Sequence, residues 1–111
     1  MSKKGTSTFV MQRASAVVLL PLGVWLLFNI VTLLGGDYET ARAWMSRPLN
    51  GVLLGAFVVV AAMHMRIGMT EIIADYIHSW LKDVLYLLNW IVALGAIAAA
   101  VWAVYAVSLA G

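Results

Sequence analysis

Four ionisable side chains and a glycine follow one another at helical spacing near the middle of the chain. They are His64, Gly68, Glu71, Asp75 and His78, at intervals of four, three, four and three residues. Because an α-helix turns about 100° per residue, this spacing places all five on one stripe. Ionisable groups beside an apolar run are costly and usually mark a functional site. The pattern therefore predicts a polar helix face that meets something polar.

His64 lies furthest into the apolar part of this segment. A neutral imidazole is a common haem ligand, and Gly68, one turn further on, leaves room for a flat macrocycle. A histidine that is hydrogen-bonded to a neighbouring helix fits the same position, and position alone favours that simpler arrangement. His78 is 14 residues away, which is about 21 Å along a helix, so the two histidines cannot bind one iron. A single ligand here implies that any second axial ligand comes from another chain.

Asp75 and Tyr76 follow at the predicted membrane boundary. A tyrosine hydroxyl there can donate a hydrogen bond to a quinone carbonyl, and the adjacent carboxylate can take part in proton delivery. The simpler interpretation is an interfacial tyrosine beside a solvated aspartate. Arg13 begins the first apolar run and could pair with an anionic group such as a haem propionate. It could also simply be one of the basic residues that favour the cytoplasmic side of a membrane, and the sequence alone favours this second explanation.

The composition indicates which elements must position these residues. Of 111 residues, 64% are hydrophobic and 11% charged, and the mean hydropathy is +0.97. A soluble domain carries about 25% charged residues, so a chain with 11% has too few charges to cover its surface in water. The absence of cysteine excludes disulfides, zinc–thiolate sites and iron–sulfur ligation. No basic stripe interleaved with aromatic residues suggests a nucleic-acid partner.

Three apolar runs predict an all-α integral membrane protein. The predicted transmembrane spans are 14–36, 49–73 and 84–108, within one membrane-anchor domain covering residues 1–111. A loop over 37–48 joins the first two, with Tyr38 and Trp44 as interface anchors. The first run is longer than the core of a signal peptide, which predicts a retained span.

The distribution of basic residues predicts the orientation. The N-terminal segment carries Lys3, Lys4 and Arg13, and the second loop carries Lys82, whereas the first loop carries a pair of arginines, Arg42 and Arg47. The positive-inside rule therefore places the N-terminus in the cytoplasm. We expect a multi-pass protein of a bacterial inner membrane, in preference to the mitochondrial inner membrane.

Two motifs resemble one known family. The run HMRIGMTEIIADY from His64 to Tyr76 has the form H-x-x-x-G, six residues, then D-Y. It resembles the second-helix signature of the succinate dehydrogenase hydrophobic membrane anchor subunit, in its haem-b-containing type. The run RASA from Arg13 resembles that family's R-A-[ST]-A start. The motifs cover about 17 residues, and the size and three spans extend the resemblance over the whole chain.

The resemblance implies specific roles. His64 would be an axial ligand of a haem b shared with a partner cytochrome b subunit, which supplies the second ligand and whose helices pack against the three spans. Tyr76 would hydrogen-bond ubiquinone with Asp75 close by, and Arg13 would lie near the haem propionates and the quinone. Succinate oxidation would occur on a flavoprotein subunit, and electrons would arrive through an iron–sulfur subunit on the cytoplasmic face. The chain would then be a non-catalytic anchor of respiratory complex II, which serves electron transport and the tricarboxylic acid cycle.

Three alternatives remain at this point. The anchor of a quinol:fumarate reductase would carry the same electrons in the opposite direction. A small multidrug-type membrane transporter would need four spans and a glutamate in the first, whereas this chain shows three and its first is uncharged. A purely structural anchor would tolerate substitution at His64 and Tyr76.

Overall fold

The structure consists almost entirely of helices. It is a computed structural model that describes residues 3–110, and the side chains of residues 5–110. In chain order it contains α1 (Lys3–Leu33), α2 (Tyr38–Ser46), α3 (Pro48–Tyr76) and α4 (Leu81–Ala103), which continues into a π-helical segment (Val104–Leu109). No strand occurs within these residues.

Three of these helices are long and apolar enough to cross a membrane. The candidate spans are Gly5–Leu33, Pro48–Tyr76 and Leu81–Leu109, each of 29 residues. At about 1.5 Å per residue each is longer than the hydrocarbon core of a bilayer, about 30 Å thick. The predicted all-α membrane fold with three transmembrane helices is confirmed.

The helices extend past the predicted spans at most of their ends. α1 begins at Lys3 and α3 continues to Tyr76, because a helix keeps its backbone hydrogen bonds in the headgroup region, where charged side chains reach water. α1 ends at Leu33, three residues earlier than predicted, and the turn that follows contains Gly35 at φ +86°. Glycine adopts this left-handed conformation without the steric cost of a Cβ atom.

The segment 37–48, predicted as a loop, contains the short helix α2. Asp37 caps it, since its Oδ1 accepts hydrogen bonds from Thr40 N at 2.9 Å and from Thr40 Oγ1 at 2.8 Å. The bond from the Thr40 backbone also lowers the pKa of the Asp37 carboxyl below its ordinary value. The prediction missed α2 because the segment was assessed only as a connection between apolar runs, and a nine-residue helix with Glu39 and Arg42 in it is too short and too polar to cross a membrane.

Trp44 joins α2 to α1. Its ring centroid lies 5.8 Å from that of Trp25, and its Nε1 donates to Asn29 Oδ1 at 2.8 Å. Asn50 Nδ2 donates to the Trp44 carbonyl at 3.1 Å. Of the two predicted interface anchors, Tyr38 is 71% exposed, whereas Trp44 is half-buried against α1 and holds the connection in place.

α3 is the central helix and packs against both α1 and α4. Its N-terminal part approaches the π-helical segment closely at Gly51 and Gly55. A Cβ atom on Gly51 would overlap the side chain of Ser108, whose Oγ donates to the Met45 carbonyl at 2.6 Å. Gly51 is therefore needed for the contact between α2, α3 and the C-terminal segment.

Gly51→Ala should lower the stability of the chain by about 1–3 kcal/mol, because an added methyl group in a filled contact forces its neighbours apart. Thermal unfolding of the detergent-solubilised protein measures this effect. Gly95→Ala is the matched control, since nothing lies within 4 Å of a Cβ atom built there. Equal stability of the two variants would show that the Gly51 contact is not required.

Few hydrophobic side chains of the described residues are buried. They are Ile67, Ile73 and Ala93, each at most 5% exposed. Large apolar side chains cover the outside of the bundle, for example Leu20 and Phe28 at 71% exposure each. Such a surface requires lipid or further helices around it.

Candidate cofactor and quinone sites

His64 faces α1 and is held by a side chain of that helix. The imidazole is half-buried, and its Nδ1 lies 2.7 Å from Ser15 Oγ. This is the hydrogen bond to a neighbouring helix that the simpler interpretation of His64 predicts. It engages only one ring nitrogen, so His64 can still bind a further group through Nε2.

Arg13 and His64 line the same cavity between α1 and α3. The cavity has a volume of about 350 Å³, and Phe9, Gln12, Ala16 and Glu71 complete its lining. The Arg13 guanidinium carbon lies 5.2 Å from the centroid of the Phe9 ring. The structure thus brings together two of the predicted site residues that are 51 positions apart in sequence (64 − 13).

Gly68 does not leave open space for a macrocycle. A Cβ atom there would lie 3.2 Å from Gln12 Nε2, so the side chain of Gln12 occupies the groove above the glycine. The physical role of Gly68 is to let α1 approach α3. A flat group at His64 must therefore lie beside Gln12 and Arg13, on the open side of the cavity.

Tyr76 lies on a different side of α3. It is the last residue of the helix, is 77% exposed, and lines an apolar cavity of about 610 Å³ between α3 and α4. Other residues of this lining include Met69, Ile72, Ile73, Leu85 and Leu88. Neither His64 nor Arg13 takes part in it.

Helix geometry explains the separation. Tyr76 follows His64 by 12 residues, which is about 120° around the helix and about 18 Å along it, whereas Asp75 is only about 20° from His64. Asp75 is exposed on the side of the first cavity, beyond Glu71, and lines neither cavity. The structure therefore groups Arg13 with His64 and separates both from Tyr76.

His78 lies in the short connection after α3 and is exposed. Within residues 3–110, no three His, Cys, Asp or Glu side chains come close enough together to hold a metal ion between them.

Sequence reasoning did not foresee the polar contacts between α3 and α4. Asn89 Nδ2 donates to the Arg66 carbonyl at 2.9 Å and to Thr70 Oγ1 at 3.1 Å, and the Arg66 guanidinium carbon lies 4.0 Å from the centroid of the Trp90 ring. The sequence feature that could have indicated these contacts is Asn89 itself, because the amide of an asparagine inside an apolar span requires a hydrogen-bond partner. These contacts hold the wall of the Tyr76 cavity together.

The orientation rests on residues that lie at opposite ends of the bundle. Arg13, in the N-terminal half of α1, and Lys82, at the start of α4, lie towards one end, whereas Arg42, within α2, and Arg47, directly after it, lie towards the other. The side chains of Lys3 and Lys4, on which the predicted orientation also depends, lie outside the described residues.

Comparison with known proteins identifies the family. The family model of the succinate dehydrogenase/fumarate reductase transmembrane subunit matches residues 1–107 of the chain. The chain therefore belongs to this family. Membership sets aside the small multidrug-type transporter and agrees with the resemblance of the two motifs.

Several curated relatives are similar over the same region. The succinate dehydrogenase hydrophobic membrane anchor subunit of Rickettsia conorii is 31% identical over 77 residues, which cover 68% of this chain and 61% of the relative. The succinate dehydrogenase membrane anchor subunit of Reclinomonas americana is 31% identical over 80 residues, 69% of this chain and 67% of the relative. The chain thus spans about three fifths of the length of the Rickettsia relative. No solved structure matches the chain.

The residues of the first cavity fit a haem. His64 offers a nitrogen ligand in a half-buried position, and Arg13 offers a cation to a propionate. Gln12 Oε1 is buried without a hydrogen-bond partner, as expected of a polar atom at an incomplete site.

Proposed function

We propose that this chain is the membrane anchor subunit of a succinate:quinone oxidoreductase, respiratory complex II, in a bacterial inner membrane. The observation that carries the proposal is the cavity in which His64 and Arg13 meet across α1 and α3. A purely structural anchor has no need for a half-buried imidazole beside a guanidinium on the same cavity, since ionisable groups in a span are costly. The names of the relatives support the same complex.

In this proposal His64 is an axial ligand of a haem b shared with a cytochrome b subunit. That subunit supplies the second ligand, and its helices cover apolar surface that the three-helix bundle leaves exposed. The haem supplies a one-electron redox centre inside the membrane. Arg13 neutralises a propionate and orients the group, and His64 fixes its position relative to α3.

Tyr76 and Asp75 contribute to the ubiquinone-reduction site. The Tyr76 hydroxyl donates a hydrogen bond to a quinone carbonyl oxygen, and the apolar cavity behind it suits the isoprenoid tail of the same molecule. Asp75, exposed at the end of α3, delivers protons from the cytoplasmic side, where the N-terminus also lies. The site is completed by residues of partner subunits.

Succinate oxidation belongs to other chains of the complex. A flavoprotein subunit oxidises succinate, and an iron–sulfur subunit docked at the cytoplasmic end of the bundle passes electrons to the quinone. This chain has no cysteine for iron–sulfur ligation and acts as an anchor and electron-transfer subunit. Quinol:fumarate reduction is the reverse direction of the same assembly, and the family's description includes both.

Purification of the intact complex through a tag on this chain tests the proposal. We expect the three partner subunits to co-purify, with succinate reducing both a soluble dye and ubiquinone. A rate of quinol-driven fumarate reduction above that of succinate-driven quinone reduction would assign the fumarate reductase direction. Isolation of the chain without flavin or iron–sulfur proteins would contradict the assembly.

A further inference from the structure

Ser15 makes two short hydrogen bonds at the boundary between α1 and α3. Its Oγ lies 2.9 Å from the backbone carbonyl oxygen of Gln12 and 2.7 Å from Nδ1 of His64. The hydroxyl is half-buried, and it joins residues that are 49 positions apart. No other hydrogen bond to the His64 ring occurs within the described residues.

Only one placement of the protons on Ser15 and a neutral His64 forms both hydrogen bonds at once. A serine hydroxyl has one proton, and a backbone carbonyl oxygen can only accept. The Ser15 proton is therefore donated to the Gln12 carbonyl, and Oγ accepts from His64. It follows that the neutral imidazole carries its proton on Nδ1 and keeps the free electron pair on Nε2.

We propose that Ser15 is the positioning residue for His64: by accepting the Nδ1–H it selects the tautomer and ring orientation in which Nε2 is free to ligate iron. The inference rests on the proposed haem site. A hydrogen bond from the second nitrogen of a ligating histidine fixes the ring and increases electron donation to the metal. Arg13 and Glu71 line the same cavity, but neither makes a hydrogen bond to the ring.

The experiment compares Ser15→Ala, Ser15→Val and Ser15→Thr in the intact, purified complex. Threonine keeps the hydroxyl, and valine has nearly the shape of threonine but no hydroxyl. Ser7→Ala, on the exposed start of α1, is the control. The readouts are haem content per complex after washing, the midpoint potential of the haem and its electron paramagnetic resonance spectrum.

Loss of the hydroxyl should weaken haem retention by about 10–100-fold, as is typical when such an outer partner of a metal ligand is removed. The midpoint potential should rise in the alanine and valine variants, because a less electron-rich ligand disfavours oxidised iron, and the resonance lines should broaden. Ser15→Thr and Ser7→Ala should match the wild type.

Wild-type retention, potential and line width in both hydroxyl-free variants would overturn the role of Ser15, and the haem site at His64 would stand. Equal damage in the threonine and valine variants would also overturn it, since the hydroxyl could not then be the cause. A wild-type complex without haem would overturn the proposed cofactor, and this inference with it.

Discussion

Replacement of His64 by leucine is expected to remove the native b-type spectrum from the purified complex. Leucine has nearly the volume of the imidazole but no ligating atom, so the iron would lose the only ligand that this chain supplies. Because a haem held by two axial ligands binds through both, loss of one should release the haem or change its spin state. Reduced-minus-oxidised difference spectra measure the result.

His78→Leu is the control for this experiment. It removes the only other histidine of the chain, which lies exposed after the end of α3, and should leave the spectrum unchanged. A native spectrum in the His64 variant would contradict ligation by His64, and a change confined to the His78 variant would show that His78, beyond the end of α3, is the ligand.

Replacement of Tyr76 by phenylalanine is expected to slow succinate-driven ubiquinone reduction by about two- to tenfold. The substitution removes one hydroxyl and keeps the ring against the apolar cavity. A hydrogen bond of this kind contributes about 0.5–1.5 kcal/mol, and about 1.4 kcal/mol corresponds to a factor of ten. Reduction of a soluble dye by succinate should keep its wild-type rate, because that electron path does not pass the quinone.

Tyr38→Phe provides the comparison for Tyr76→Phe. Tyr38 is similarly exposed, at 71% against 77%, but begins α2 at the other end of the bundle. We expect it to leave both rates unchanged. If Tyr76→Phe also retained full ubiquinone reduction, the quinone site would have to be placed elsewhere, and the apolar cavity would be a lipid contact.

The transmembrane helices and the segment that carries the site follow from the sequence, because both depend on local patterns. The apolar runs that predict the spans 14–36, 49–73 and 84–108 correspond to α1, α3 and α4. Helical spacing already separates Tyr76 from the face of His64 by about 120°. The structure groups Arg13 with His64, and the position of Arg13 near the quinone stays a prediction.

What the sequence could not provide are contacts between distant segments. The bond from His64 to Ser15 joins residues 49 positions apart, and the side chain of Gln12 above Gly68 comes from another helix. The sequence also did not predict helix α2, because this helix depends on a contact with another segment. Its position depends on Trp44 packing against α1, which no periodicity within nine residues indicates.

The two cavities give α3 a double role. Its His64 face, with α1, forms the proposed haem site, and its C-terminal end, with α4, forms the proposed quinone site. Because both residues are held by one continuous helix, about 18 Å of rigid backbone separates them. Changes at either site should therefore have local effects and leave the other site intact.

An electron cryo-microscopy map of the intact complex would test the central claim most directly. We predict planar macrocycle density on the open side of the α1–α3 cavity, with His64 Nε2 as its axial contact and Ser15 Oγ against Nδ1. Macrocycle density bound through other residues, or a map in which the His64 ring faces lipid alone, would contradict it.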